Sequence, residues 1–123
     1  MKRILLIDDD DTFRKMLRVT LAKLGFEVVE ARNGAEIPPI SASNKPDLIF
    51  TDLIMPDKDG LEVIGDFKRT FPEAKIVAMS GGGQIRANDY LSIAKCLGAS
   101  RTLHKPFSHE ALVETISALD HAE

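Results

Sequence analysis

Short apolar runs alternate along this chain with longer stretches of helical spacing. The runs at residues 4–7, 48–51 and 76–79 are apolar almost without interruption. Such runs need cover on both faces, which favours a parallel sheet between layers of helix. Residues 26–30 read as a further strand, nearer an edge, and residues 102–104 as a weak fifth. Between the runs, Phe13, Leu17, Leu21 and Leu24 fall on one face of a first helix, and Gly25 is placed to end it. Leu61, Ile64 and Phe67 repeat the pattern. Tyr90, Ile93, Ala94 and Leu97 repeat it again up to Gly98, and Leu112, Ile116 and Leu119 form the last face. The crossover after the second strand departs from it. Asn33-Gly34-Ala35-Glu36 opens a helix, but Pro38 and Pro39 remove donors and clash with the preceding turn. A shortened or displaced helix is expected there. Five β-α units make an α/β chain with a doubly wound parallel sheet, whose sites form beyond the carboxyl ends of the strands.

Composition narrows the picture without redirecting it. A chain of 123 residues suits one domain, and 44% hydrophobic with 28% charged residues is an ordinary globular mixture. With no linker and no low-complexity tract, residues 1–123 are expected to be a single domain, with no output domain in this chain. The formal charge of -3 gives no support to direct nucleic-acid binding or to adhesion to an anionic membrane. No run approaches the roughly 18 apolar residues that span a bilayer, so no membrane insertion is expected. The opening apolar run is too short for a secretory signal, and Cys96, alone, cannot form an internal disulfide. A cytoplasmic location is expected.

The candidate chemistry stands at the strand ends. Asp8, Asp9, Asp10 and Asp11 follow the first strand, Asp52 the third, Ser80 the fourth and Lys105 the fifth. Capping or solvent exposure explains Asp10 and Asp11. It does not explain Asp8 and Asp9 packed against another strand end, where like charges repel unless a cation is present. Magnesium takes such hard oxygen ligands and keeps several waters. Asp8, Asp9 and Asp52 supply carboxylates, and Ile54 is a candidate for a backbone carbonyl. Manganese would substitute. The histidines His104, His109 and His121 lack convincing ligand spacing for zinc. Asp52 is then a candidate nucleophile toward a phosphoryl group, with Lys105 neutralising charge and the Ser80 hydroxyl bonding a phosphoryl oxygen. Backbone amides around Gly81-Gly82-Gly83 would add to that cradle. No GxxxxGK[ST] or GxGxxG pattern is present, so nucleotide binding of those kinds has no support. Pro56 and Gly60 shape the turn after Asp52, and Lys105-Pro106 is a second rigid point.

This ordered set resembles the receiver domain of bacterial response regulators. The matching pieces are Ile4 to Asp10, Pro46 to Asp52, Met55-Pro56 with Gly60, Ser80 after a strand, and Lys105-Pro106-Phe107. The resemblance implies a flavodoxin-like three-layer sandwich, five strands in the order 2-1-3-4-5 and five helices. It implies magnesium-dependent transfer to Asp52 from the phosphohistidine of a histidine kinase or histidine phosphotransfer protein. Slow self-hydrolysis follows, without turnover on an external substrate, and a downstream protein is the expected target. By position, Asp8 and Asp9 match the family's acidic pair, Ser80 its switch hydroxyl and Lys105 its invariant lysine.

Three departures are visible. Thr102 stands where the family usually has an aromatic ring, Pro38 and Pro39 interrupt the second helix, and the stretch from Ser80 to Lys105 is longer than usual. Lacking the ring, switching is expected to run through Gly81-Gly82-Gly83 and the start of the next helix, with His104 or Tyr90 lining the changed surface. Three rival readings fit less well. An aspartyl-phosphate phosphohydrolase would carry an aspartate where Ile54 stands. A non-phosphorylated pseudo-receiver would lack some of the residues present. A flavin carrier would need more stacking partners than one tyrosine and no tryptophan.

Overall fold

The computed structural model describes residues 3–37, 44–53, 60–81, 95 and 98–121. Five parallel strands form one sheet, β1 (Arg3–Ile7), β2 (Glu27–Ala31), β3 (Leu48–Asp52), β4 (Lys75–Gly81) and β5 (Arg101–Lys105), in the order β2-β1-β3-β4-β5. Three α-helices are described, α1 (Asp11–Lys23), α2 (Gly60–Thr70) and α3 (His109–His121). The α/β class, the strand order and the edge position of β2 are those expected from the sequence.

Both faces of the sheet are buried. On one face Leu5, Ile7, Ile49, Ile76 and Ala78 pack with Ile64 and Phe67 of α2. On the other, Ile4, Leu6, Phe50, Val77, Met79 and Leu103 pack with Leu17 and Leu21 of α1 and with Leu112, Ile116 and Leu119 of α3. Successive strand residues point to opposite faces, so an unbroken apolar run fills two cores at once.

Local chemistry sets the helix ends. The Asp10 carboxylate accepts from the Phe13 N–H at 3.1 Å and caps α1. Gly25, at φ +100°, turns the chain out of α1. Leu24 corrects the expected apolar face: it is the C-cap residue and is 39% exposed. The chain leaves the helix before Leu24 can reach the sheet, and Phe26 packs against that core instead. Gly98, at φ +122°, leaves room for Lys68, whose Cγ would lie 2.5 Å from a Cβ there. Lys68 in turn donates from Nζ to the carbonyl of Ala74 at 3.1 Å.

The crossover after β2 contains a 3-10 turn of three residues, Gly34–Glu36, capped by the Asn33 side chain. Ile37 is already extended at φ -64°, ψ 125°. Proline disfavours helical geometry in the residue before it, and Pro38 follows. The expected shortening therefore holds up to residue 37; Pro38 and Pro39 lie outside the described residues. So do Tyr90, Ile93, Ala94, Cys96 and Leu97, and with them most of the fourth expected helix.

At the amino ends of the strands, polar groups close on one another. The Arg3 N–H donates to Asp47 Oδ2 at 3.0 Å, and the Asp47 N–H returns to the Arg3 carbonyl at 2.9 Å. Lys75 N–H reaches the Asp47 carbonyl at 3.2 Å, and Arg3 Nε stands 3.3 Å from Glu27 Oε1. Among the described residues, no helix is long and apolar enough to cross a membrane.

Candidate acidic site at the carboxyl rim of the sheet

Strands β3, β4 and β5 run further toward the carboxyl rim than their apolar patterns. Asp52 and Lys105 are the last residues of β3 and β5, and Ser80 lies within β4; none of them stands beyond its strand. The parallel ladder continues past the apolar run, pairing Asp52 with Met79, Ser80 with His104 and Gly81 with Lys105. These side chains are thus carried on a rigid sheet edge. Asp8 follows β1 directly, and its N–H donates to the carbonyl of Ala31 at 3.1 Å, extending the ladder by one bond.

The carboxylates of Asp8, Asp9 and Asp52 converge, each offering an oxygen within 4.8 Å of the others. Asp8 is fully buried, Asp52 and Ser80 nearly so, and Asp9 is exposed. Lys105 Nζ donates to Asp8 Oδ2 at 2.7 Å and lies 3.6 Å from Asp52 Oδ2. The other Asp8 oxygen accepts from the Asp10 N–H at 3.0 Å. Burial pushes the Asp8 carboxyl above its ordinary value, and the Asp9 charge adds to that. The bonds from Lys105 and the Asp10 N–H offset the rise only in part. Ser80 Oγ is buried at the end of β4, 3.5 Å from the Gly81 carbonyl.

An aromatic pair walls one side. The Lys105 ammonium lies 4.6 Å from the centre of the Phe13 ring, and Phe13 meets Phe107 edge to face at 5.6 Å. The Lys105-Pro106 peptide is cis. Of the residues expected at the site, Asp8, Asp9, Asp52 and Lys105 come together, and Ser80 shares the same rim. Ile54 lies outside the described residues, as do Met55, Pro56, Gly82 and Gly83. Thr102 is half-buried and His104 exposed on the alternate face of β5 from Lys105, as strand alternation requires.

Arg14 was not anticipated. It is only 6% exposed, and its Nη1 donates to the Asp8 carbonyl at 2.9 Å and to Asp11 Oδ1 at 2.7 Å. Its Nε donates to Glu30 Oε1 at 3.0 Å. A signal was present: Arg14, Leu17 and Leu21 share helical spacing, so the apolar face carries a guanidinium that must find buried partners. Asp11 faces solvent, as expected, with 55% of its side chain exposed, and it also pairs with Arg14. Arg14 and Arg32 hold its carboxyl below the usual range.

A parallel sheet in this order, with acids after β1 and at the end of β3 facing a lysine on β5, invites comparison with known proteins. The family model of the response regulator receiver domain matches residues 4–117. The chain belongs to that family. It is 35% identical over 116 residues to the chemotaxis protein CheY of Bacillus subtilis, covering 94% of each chain. The receiver-domain likeness extends to solved structures. The response regulator TrrA of Thermotoga maritima, solved in complex with Mg(2+)-BeF, aligns with a TM-score of 0.79 at 33% identity, over 97% of this chain and 99% of that one. A response regulator of Burkholderia pseudomallei, solved with a phosphorylated aspartic acid and a calcium ion, aligns with a TM-score of 0.78 at 26% identity, over 99% of this chain and 76% of that one.

Proposed function

We propose that residues 1–123 act as one phosphoryl-accepting switch, with Asp52 as the acceptor. The observation that carries this reading is the convergence of Asp8, Asp9 and Asp52 within 4.8 Å, with Lys105 Nζ set between Asp8 and Asp52. The donor set fits magnesium: three carboxylates offer only hard oxygen, and an ammonium already stands against the buried Asp8. Asp8, Asp9 and Asp52 would hold the ion, with the Ile54 carbonyl as a further ligand, and manganese would substitute. When bound, it supplies neutralisation of the charge on the phosphoryl oxygens.

The chain's own groups do the rest. An Asp52 carboxylate oxygen bonds to phosphorus as the P–N bond of a phosphohistidine breaks, and the imidazole nitrogen leaves with the electron pair. The donor is a histidine kinase or a histidine phosphotransfer protein. Lys105 neutralises phosphoryl charge and the Ser80 hydroxyl donates to a phosphoryl oxygen. Hydrolysis reverses the modification: water attacks phosphorus, the P–O bond to Asp52 breaks, and inorganic phosphate leaves. The acceptor goes from a singly charged carboxylate to an acyl phosphate of about two negative charges, and this rise of about one charge, with new acceptor oxygens at the rim, is the signal passed to a downstream protein. The structures of TrrA with Mg(2+)-BeF and of the Burkholderia pseudomallei regulator with a phosphorylated aspartic acid support this chemistry by likeness.

Incubation with magnesium and a small phosphodonor tests the reading. Intact mass should show one phosphoryl adduct, stable in acid and labile in base, that maps to Asp52 and is absent from Asp52→Asn. An adduct mapped elsewhere, or none with any donor or kinase, overturns it.

A further inference from the structure

We propose that Arg14 is a positioning residue for the cation site, fixing the main chain of Asp8 so that its carboxylate meets those of Asp9 and Asp52. The inference deepens the reading above and rests on it for the presence of a divalent cation.

Among the described residues, Asp8 is held at four points. Its N–H donates to Ala31, its Oδ1 accepts from the Asp10 N–H, its Oδ2 accepts from Lys105, and its carbonyl accepts from Arg14 at 2.9 Å. The first two bonds come from main chain, which substitution of side chains leaves in place. Lys105 competes with a metal for the same carboxylate. Among the described residues, Arg14 is therefore the side chain that fixes Asp8 without occupying any oxygen a cation would need.

Its own position is over-determined. Nε is bound to Glu30 on β2 and Nη1 to Asp11 at the start of α1, so the guanidinium spans the sheet edge and the helix that flank the acidic turn. Arg18 also reaches Glu30, at 3.0 Å, and Arg32 reaches Asp11, at 3.5 Å. Three guanidinium groups thus share two carboxylates directly behind a turn of aspartates. The planar fork matters as well as the charge: Nε and Nη1 point in fixed directions to different elements, which a lysine ammonium cannot reproduce. Groups that orient metal ligands typically change affinity by about 10- to 100-fold when removed.

The test uses the full chain, with manganese as the probe, titrated calorimetrically in wild type, Arg14→Gln and Arg14→Lys. Thermal midpoints and the amide shifts of Asp9 and Asp10 are recorded without metal. Arg14→Gln should weaken manganese binding by about tenfold or more. Arg14→Lys, which keeps the charge, should recover only part of the loss, and both should shift the Asp9 and Asp10 amides. Asp11→Asn keeps the bond to the Asp8 carbonyl and should bind manganese within about twofold of wild type, even where its midpoint falls. A merely structural Arg14 would move the midpoints of Arg14→Gln and Asp11→Asn alike and leave manganese affinity unchanged in all folded variants, which overturns the inference. Should Arg14→Gln fail to fold, Arg14→Lys decides, and wild-type affinity there also overturns it. Wild type that binds no manganese overturns the reading of the site itself, a result distinct from equal affinities across variants.

Discussion

The two rims of the sheet use the same residue types to opposite ends. At the amino rim, Arg3, Asp47 and Lys75 exchange main-chain and side-chain hydrogen bonds that close on each other, and the ion pair with Glu27 lies near solvent. At the carboxyl rim, three acids converge and two are buried, one of them raised in pKa by that burial. Charge at the first rim ties strand ends together at little electrostatic cost. Charge at the second is held against its own preference, and such strained electrostatics mark places where a ligand or a reaction completes the balance.

The largest expected contrast lies in chemistry. Lys105→Met should slow phosphorylation of Asp52 by about 100-fold, as loss of one electrostatic stabiliser does elsewhere. Adduct formation followed over time by intact mass measures it. Unchanged kinetics would remove Lys105 from the mechanism and leave it as a structural partner of Asp8.

A smaller effect separates the rims by stability. Moving from chelator to magnesium at about a hundred times its dissociation constant should stabilise wild type by about 2.7 kcal/mol. Asp8→Asn should abolish that gain. Asp47→Asn should keep it in full while starting about 1 kcal/mol lower, because it weakens a hydrogen bond that serves only the amino rim. Urea unfolding with and without magnesium reads both, and loss of the gain in Asp47→Asn would break the comparison.

The smallest effect is a dependence on pH in chelator. Asp8 has a raised pKa when folded, so its contribution is present below its ordinary 3.8 and is lost as pH rises through the raised value. Asp11 runs the other way, its contribution present above 3.8 and lost as pH falls through its lowered value. From about pH 4 upward, wild type should therefore lose stability relative to Asp8→Asn. Parallel curves for the two proteins would show that burial of Asp8 carries no such cost.

Much of this was legible from the chain alone, and the gaps have physical causes. Unbroken apolar runs located the sheet because both of its faces are buried, and the residues beyond those runs located the rim. Hydropathy reads the end of an apolar run, whereas a strand ends where its ladder of hydrogen bonds ends. That is why Asp52, Ser80 and Lys105 proved to belong to strands. Leu24 misled because helical spacing says nothing of where the chain turns away. Arg14 was passed over because a cation on an apolar face reads as a solvated exception until Asp11, one turn back on the same helix, and Glu30, from β2, are seen around it. The shortened turn before Pro38 was readable because proline acts on its immediate neighbour, without help from tertiary contacts.

The ammonium of Lys105, 2.7 Å from one carboxylate and 3.6 Å from the other, makes the resting site a place already taken. Loading it with a cation would be an exchange of an internal guest for an external one. With an ion held at Asp8, the lysine's nearer tether would loosen and its charge would be free to lean toward Asp52. On the function proposed above, the tenant that a metal would displace is the same group that would then attend the acceptor, and readiness to react would be coupled to occupancy.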